Sequence, residues 1–188
     1  MAFNFAYELA KEGFVVISGL ARGIDTYAHL GAVKAGGKTI AVLGSGLKHI
    51  YPSENKKLCN EIVKNGGTII TEYEPHTKPL PMNFPSRNRI ISGLSNGVLV
   101  VEAKQKSGTL ITVDYALEQG KDVFVIPGNI TSINSYGTNE LIKQGAKLVT
   151  NTKEIIEEII KWKFMVTIGN LLIMLSLIHI WRCRRLVE

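Results

Sequence analysis

Short apolar runs alternate with amphipathic stretches along most of the chain, and this alternation predicts its secondary structure. Six runs rich in β-branched residues are typical of strands, and five longer stretches with helical spacing lie between or beside them. Most of the helical stretches end at a glycine, as a helix C-terminal cap requires. An amphipathic helix that ends at Gly13 precedes the first strand. The predicted strands are FVVIS, TIAVLG, GTIIT, GVLVV, VFVIP and AKLVT.

These strands are apolar on both faces, and helical stretches separate them along the chain. This pattern favours a parallel sheet that helices cover on both sides. We therefore predict an α/β fold with a doubly wound, mostly parallel sheet of the Rossmann-like kind. One domain over residues 1–161 accommodates all of these elements.

The composition is that of a folded domain. Hydrophobic residues make up 45% of the 188 residues and charged residues 20%, which excludes an intrinsically disordered chain. The formal net charge of +6 permits a polyanionic partner without requiring one. Cys59 and Cys183 stand far apart without partner motifs, so we expect a reducing, cytoplasmic setting. The histidines are scattered, and we expect no metal site and no cofactor.

Residues 162–188 differ from the rest of the chain. An uncharged run from residue 164 to residue 181 is followed by RCRR, and it lacks the helix–strand alternation found upstream. The segment LSLIHIWRCRR also resembles the translation of a transposon-type sequencing adapter. We interpret 162–188 as a non-native tail from a frameshift or adapter read-through, and we expect no membrane association. A membrane tail anchor is the alternative interpretation.

The loops that follow the strands are the candidate binding sites, because ligands of doubly wound folds bind beyond the carboxyl ends of the strands. After the first predicted strand, Gly19 and Gly23 flank Arg22, and after the second, Gly44 and Gly46 form a compact turn. Glycines let backbone amides approach a phosphate closely, and Arg22 would add its charge. We predict phosphate contacts at these five residues. A tight turn with a solvated arginine is the alternative.

The loop after the fourth strand carries lysines just before a predicted helix start. Free amides and hydroxyls at such a start form a cradle for phosphate. Thr109 acting only as a helix cap is the alternative. The residues of this predicted cradle are Lys104, Lys106, Ser107, Gly108 and Thr109.

The stretch FPSRNRIISGLS places fixed positive charge at another predicted helix start. If Ser86 caps this helix, Arg87 and Arg89 lie about 200° apart around its axis, so they serve different roles. We expect one arginine to be structural, held by a carboxylate such as Glu72 or Glu102. The other arginine is then free to bind a phosphate.

Several phosphate-binding turns along one sheet edge suit a polyanion better than a single nucleotide. We expect these turns to form a continuous positive trough for the backbone of one strand. Asn88 is a candidate for a contact with a base edge, with a bond to the preceding loop as the alternative. A dinucleotide site is disfavoured, because His49 stands where the fingerprint has its third glycine.

The motifs together resemble the Rossmann-like core of the DNA-processing protein A family (DprA/Smf), over about residues 13–150. The resemblance implies a cytoplasmic bacterial protein that binds single-stranded DNA without cleaving it. It also implies a homodimeric full-length protein that protects incoming strands during natural transformation and loads the RecA recombinase. By the same resemblance, Arg22, the arginines of FPSRNR and the KSGT turn would line the DNA groove. The motifs are SGLARGIDTYAH, GKTIAVLGSGLKHIYPSEN, FPSRNRIISGLS, VVEAKQKSGTLITVDYALEQGKDVFVIPG and GTNELIKQGA.

The chain departs from this family at both ends. The family core begins one strand earlier, with a Gly-Ser/Thr-Arg turn that helps to hold phosphate, and that first strand is normally central in the sheet. Terminal helical and winged-helix-like domains of the family are also not recognisable here. We therefore expect a truncated core that lacks the first strand, is poorly stable and binds DNA weakly.

An enzyme of the lysine-decarboxylase-like (LOG) type is the alternative from another class. These nucleoside-monophosphate phosphoribohydrolases place a catalytic glutamate in the motif G-T-x-x-E. Here the run from Gly108 to Thr112 puts a threonine at that position, and threonine supplies no carboxylate for hydrolysis. Glu102 and Glu118 remain as candidates for that role. We expect no catalytic residue and no enzymatic activity.

Overall fold

A seven-stranded sheet forms the centre of the computed structural model, which describes residues 1–105, 107–165 and 174–178. The order of the strands across the sheet is β3-β2-β1-β7-β4-β5-β6, and all described pairs are parallel. The predicted α/β fold with a parallel sheet is therefore confirmed. The strands are β1 (Val15–Ser18), β2 (Thr39–Val42), β3 (Thr68–Ile70), β4 (Gly97–Val100), β5 (Asp122–Val125), β6 (Lys147–Leu148) and β7 (Met174–Ile178).

Helices connect consecutive strands, as the alternation of patterns predicted. Within the described residues they are α1 (Ala2–Lys11), α2 (Ile24–Lys34), α3 (Lys56–Lys64), α4 (Asn83–Leu94), α5 (Gly108–Glu118), α6 (Tyr136–Lys143) and α7 (Thr152–Met165). Two short 3-10 turns, Ser53–Asn55 and Ile133–Ser135, precede α3 and α6.

The start of α4 differs from the prediction. The Asn83 amide donates to the Leu80 carbonyl at 3.0 Å, and the helix begins at Asn83. Ser86 therefore lies inside the helix, where its hydroxyl donates to the Met82 carbonyl at 3.1 Å. The prediction that Ser86 caps this helix is wrong.

Helices cover both faces of the sheet, which is the doubly wound arrangement. Side chains alternate between the faces along each strand, so Val16 points into one apolar cluster and Ile17 into the other. The first cluster packs the sheet against α1, α2 and α7, and the second packs it against α4, α5 and α6. A third cluster, built on Leu43 and Ile62, holds α3 against β2 and the turn after β1.

The centre of the sheet is occupied by β7, between β1 and β4. Its backbone pairs with both neighbours, with Leu175 opposite Val16 and Leu177 opposite Leu99. The position expected for the family's first strand is therefore filled by a segment assigned to the tail, and α7 also continues past residue 161 to Met165. The rest of the tail lies outside the described residues, and its non-native origin stays a prediction. Across the described part of the chain, no helix combines the length and apolarity needed to cross a membrane.

Candidate nucleic-acid interface

The connections that follow β1 to β5 meet at one edge of the sheet, because all of these strands run in the same direction. Backbone hydrogen bonds join neighbouring connections. The Gly46 amide, after β2, donates to the Thr77 carbonyl, after β3, at 2.9 Å. The Ala103 amide, after β4, donates to the Asn134 carbonyl, after β5, also at 2.9 Å. The predicted candidate loops thus share one surface.

Asp25 organises the turn after β1. Its Oδ2 accepts hydrogen bonds from the amides of Gly19 at 3.0 Å and Ala21 at 3.1 Å. A phosphate contact was predicted for Gly19, but its amide is therefore already hydrogen-bonded to a carboxylate. Gly23 differs, since its φ of 82° favours glycine and no atom lies within 4 Å of a Cβ built there. The start of α2 beside Arg22 is thus open.

Arg22 lies on the surface of this edge. Its side chain is 51% exposed, and its Nε and Nη2 donate to the two carboxylate oxygens of Glu54, with Nη2 3.1 Å from Oε2. The guanidinium carbon also lies 5.7 Å from the centre of the Tyr51 ring, within the range of a cation–π contact. The hydrogen bond from Arg22 lowers the pKa of Glu54, so this carboxylate is charged at neutral pH. Arg22 therefore holds an anionic group in the unliganded chain.

Arg87 is buried, with 2% of its surface exposed. Its Nη1 donates to the carbonyl oxygens of Gly19, at 2.9 Å, and Val42. Its Nε donates to Oδ1 of Asn88 at 3.2 Å. The guanidinium lies so close to Gly19 that a Cβ there would be 2.7 Å from Arg87 Cζ. Arg87 thus ties α4 to the ends of β1 and β2.

Arg87 is the structural one of the two arginines, but its hydrogen-bond partners differ from those expected. Carbonyl oxygens hold its guanidinium, rather than Glu72 or Glu102. Burial lowers the pKa of Arg87 to about 10, against the opposing influence of the Asp25 charge, so Arg87 is charged at neutral pH. Asn88 is also fully buried, and its Nδ2 has no hydrogen-bond partner within the described residues. The burial of Arg87 and Asn88 argues against the predicted DNA contacts, which stay predictions.

Arg89 lies on the outside of α4, as its angular separation from Arg87 predicted. Its side chain is 51% exposed and donates to Oε2 of Glu72, the second residue after β3. Arg22 and Arg89 therefore both have a glutamate as partner. The expectation of an uninterrupted positive trough is wrong in this respect, because carboxylates lie among its cations.

Gly44 and Gly46 allow the connection after β3 to pack on the turn after β2. A Cβ at Gly44 would lie 2.8 Å from Cδ1 of Phe84, and one at Gly46 would collide with the backbone of Glu74 and Pro75. Both glycines are buried. Their predicted phosphate contacts stay untested, and packing explains the glycines without a ligand.

The turn after β4 contains part of the predicted phosphate cradle. Lys104 is exposed, while Lys106 lies outside the described residues. Ser107 is the N-cap residue of α5, which begins at Gly108, so Thr109 is not the cap and its side chain is buried. The Ser107 hydroxyl is buried and has no hydrogen-bond partner within the described residues. The helix start at Ser107 and Gly108, together with Lys104, has the chemistry of an anion site.

Sequence reasoning missed a neutral histidine in the core behind this edge. The Thr39 hydroxyl donates to the Val16 carbonyl at 2.7 Å, so it accepts from Nδ1 of His29, also at 2.7 Å. The opposite ring nitrogen, Nε2, has no partner within the described residues. Burial, and then the charge of Arg87, lower the pKa of His29 to about 3. No group of three or more His, Cys, Asp or Glu side chains in the described ranges is placed to hold a metal ion.

Comparison with known proteins identifies relatives over most of the chain. The family described as DNA recombination-mediator protein A matches residues 1–160. The DNA processing protein DprA of Streptococcus pneumoniae is 51% identical over 144 residues, which cover 77% of this chain and 51% of that relative. Protein Smf of Escherichia coli is 50% identical over 155 residues, which cover 82% of this chain and 41% of that relative. The chain thus spans about half the length, or less, of these curated relatives.

Solved structures agree with the sequence matches. The X-ray structure of DNA processing protein A from S. pneumoniae has a TM-score of 0.77 at 48% identity, and the match covers 84% of this chain and 55% of that one. A structure of DNA processing protein A from Helicobacter pylori, which concerns its single-stranded DNA binding mode, has a TM-score of 0.76 at 36% identity. That match covers 85% of this chain and 72% of the other. The chain therefore belongs to the DNA recombination-mediator protein A family, and DprA and Smf proteins are its relatives.

Proposed function

We propose that this chain binds single-stranded DNA along the edge where its strands end, and that it catalyses no reaction on the DNA. The observation that carries the proposal is the placement of three exposed cations, Arg22, Arg89 and Lys104, on separate segments around one sheet edge. Separated cations suit the successive phosphates of one strand better than the phosphates of a single nucleotide. The single-stranded DNA binding mode described for the H. pylori relative supports the proposal.

We extend the proposal to a protein with the length of the curated relatives. In that protein we propose a homodimer that acts in the cytoplasm, protects incoming single strands during natural transformation and loads the RecA recombinase. Membership of the family supports these roles.

The absence of catalysis rests on the residue at position 112. The phosphoribohydrolase motif has a glutamate there, whereas Thr112 is fully buried and its hydroxyl has no partner within the described residues. We expect no free base when the chain is incubated with nucleoside 5′-monophosphates. Release of free base that Glu102→Gln abolishes would establish the enzymatic alternative instead.

The binding proposal is tested by measuring the affinity of the chain for a fluorescein-labelled 20-mer of dT at several salt concentrations. Phosphate contacts predict a log-linear loss of affinity with salt, with a slope of about −0.7 for each contact. Arg22→Ala and Arg89→Ala should each weaken binding and make the slope shallower by about one contact.

Lys143→Ala is the matched control. Lys143 is an exposed, ion-paired cation like the two arginines, but it ends α6, at the opposite edge of the sheet, where β6 begins. We expect little change in affinity or slope. Salt-independent binding by the wild-type chain, or an equal effect of all three substitutions, would overturn the proposed interface.

A further inference from the structure

Two glutamates occupy the anion sites of Arg22 and Arg89, the exposed arginines of the described residues. Glu54 lies in the 3-10 turn before α3 and meets Arg22 from the turn after β1. Glu72 follows β3 and meets Arg89 on α4. Each pair therefore connects two different segments at the proposed DNA-binding edge, and each involves a cation on which the proposed function depends.

The geometry of the Arg22 pair resembles that of an arginine bound to phosphate. Nε and Nη2 of Arg22 donate to separate oxygens of Glu54, which is the bidentate arrangement that guanidinium groups form with carboxylates and phosphates alike. A phosphate that binds these two nitrogens has to take the place of the carboxylate. The same holds for the Arg89 nitrogen that donates to Glu72.

Displacement of these carboxylates is feasible because the pairs are exposed. The side chains of Arg22 and Glu54 are 51% and 52% exposed, and those of Arg89 and Glu72 are 51% and 31% exposed. Exposed ion pairs contribute little to stability, and water takes over the hydrogen bonds of a released carboxylate. The glutamates thus neither fix the fold nor block the arginines permanently.

We propose that Glu54 and Glu72 act as internal competitors of the DNA phosphates. Each carboxylate holds its arginine in the unliganded chain and is displaced when a backbone phosphate binds. The two glutamates thereby lower the affinity for single-stranded DNA and prevent other anions from binding to the arginines. This inference rests on the proposed function, since it concerns the same binding edge.

The test compares Glu54→Gln, Glu72→Gln and the double variant with the wild-type chain, using the labelled 20-mer of dT and the full chain. Glutamine keeps the size of the side chain but removes the charge. We expect each single variant to bind about twofold to fivefold more tightly, which corresponds to the loss of an exposed ion pair as competitor. The double variant should gain the product of the two factors. The slope of the salt dependence should change little, because each arginine contacts a phosphate in the wild-type chain as well.

Glu140→Gln is the matched control, because Glu140 is a glutamate paired with Lys143 in the last turns of α6. If it tightens binding as much as the other variants, net charge explains the effect and the inference is overturned. Arg22→Ala combined with Glu54→Gln provides a second control, since the gain from Glu54→Gln should vanish when Arg22 is absent. Circular dichroism confirms that each variant is folded.

The remaining outcomes separate this inference from the proposed function. Weaker binding by Glu54→Gln or Glu72→Gln would mean that the carboxylate positions its arginine for phosphate, which overturns the inference and leaves the interface standing. Wild-type binding that neither variant alters would do the same. Failure of the wild-type chain and of all variants to bind the 20-mer would overturn the proposed function itself.

Discussion

Arg87 and Arg89 stand two positions apart in one helix and have opposite surroundings. Arg87 is 2% exposed and donates to carbonyls at the ends of β1 and β2, whereas Arg89 is half exposed and meets Glu72 at the surface. Successive residues of a helix are rotated by about 100°, so residues two apart point to different sides. The same charge therefore organises the fold at one position and is available for a ligand at the other.

The buried region contains two opposite charges on either side of one residue, Gly19. Asp25 accepts the Gly19 amide, and Arg87 donates to the Gly19 carbonyl. A buried charge is tolerated only when it is paired and hydrogen-bonded. Asp25 and Arg87 carry opposite charges, and each forms a hydrogen bond with the backbone of Gly19. The exposed region lacks this mutual dependence, because water replaces any partner that Arg22 or Arg89 loses.

The largest effect is expected from Arg87→Met. This change keeps the apolar part of the side chain, but it leaves the Gly19 and Val42 carbonyls without their donor and Asp25 without the nearby positive charge. Removing one member of a buried charge arrangement costs about 3–5 kcal/mol of unfolding free energy. Urea unfolding, followed by circular dichroism, measures this loss.

Arg89→Met is the control on the other side of the helix. Loss of an exposed ion pair changes the unfolding free energy by at most about 1 kcal/mol. Equal destabilisation by Arg87→Met and Arg89→Met would show that Arg87 contributes no more to the fold than Arg89 does.

A smaller effect is expected from Gly19→Ala. The added methyl group would lie 2.7 Å from Cζ of Arg87, which cannot withdraw without breaking its carbonyl contacts. Overpacking of this kind costs about 1–3 kcal/mol of unfolding free energy. Gly93→Ala, on α4, is the control, since the atom nearest to its added Cβ, beyond the adjacent backbone of the helix, is Nε2 of the flexible Gln119 side chain at 3.6 Å. That helical substitution should be neutral or stabilising by up to about 1 kcal/mol. A larger loss of unfolding free energy at Gly93 than at Gly19 would contradict the conclusion that the Arg87 guanidinium is held in place.

Much of this architecture could be predicted from local sequence patterns. Apolar runs and terminal glycines located the six strands upstream of the tail, and the parallel sheet then placed the turn after β1 and the turn after β4 at one edge. The helical rotation between Arg87 and Arg89 also separated a structural from an exposed arginine. These inferences succeed because each depends on neighbours along the chain.

Most partners of the site residues could not be predicted, because they come from distant segments. Gly44 and Gly46 resembled part of a phosphate-binding fingerprint, but Phe84 and the backbone at Pro75 explain them. The Glu54 carboxylate lies 32 positions from Arg22 along the chain, and no local pattern couples them. Which cation is compensated thus depends on tertiary packing alone.

The last effect concerns pH and tests whether the buried region excludes a further positive charge. The pKa of His29 is about 3 in the folded chain, compared with 6.5 for a free imidazole, because the ring is buried beside Arg87. Below pH 6.5 the unfolded chain therefore takes up a proton that the folded chain does not. The stabilising contribution is complete above pH 6.5 and is lost as the pH falls towards 3, by at most about 1.4 kcal/mol per pH unit.

His29→Gln should remove this part of the pH dependence, although it also destabilises the chain at neutral pH by disturbing the bond to Thr39. The measurement is urea unfolding of both chains between about pH 4 and pH 8. If His29→Gln leaves the slope of stability against pH unchanged, the folded chain accommodates a protonated His29. The region around Arg87 would then admit water or a counter-charge, and its contrast with the solvated surroundings of Arg89 would be smaller than the burial of the two side chains indicates.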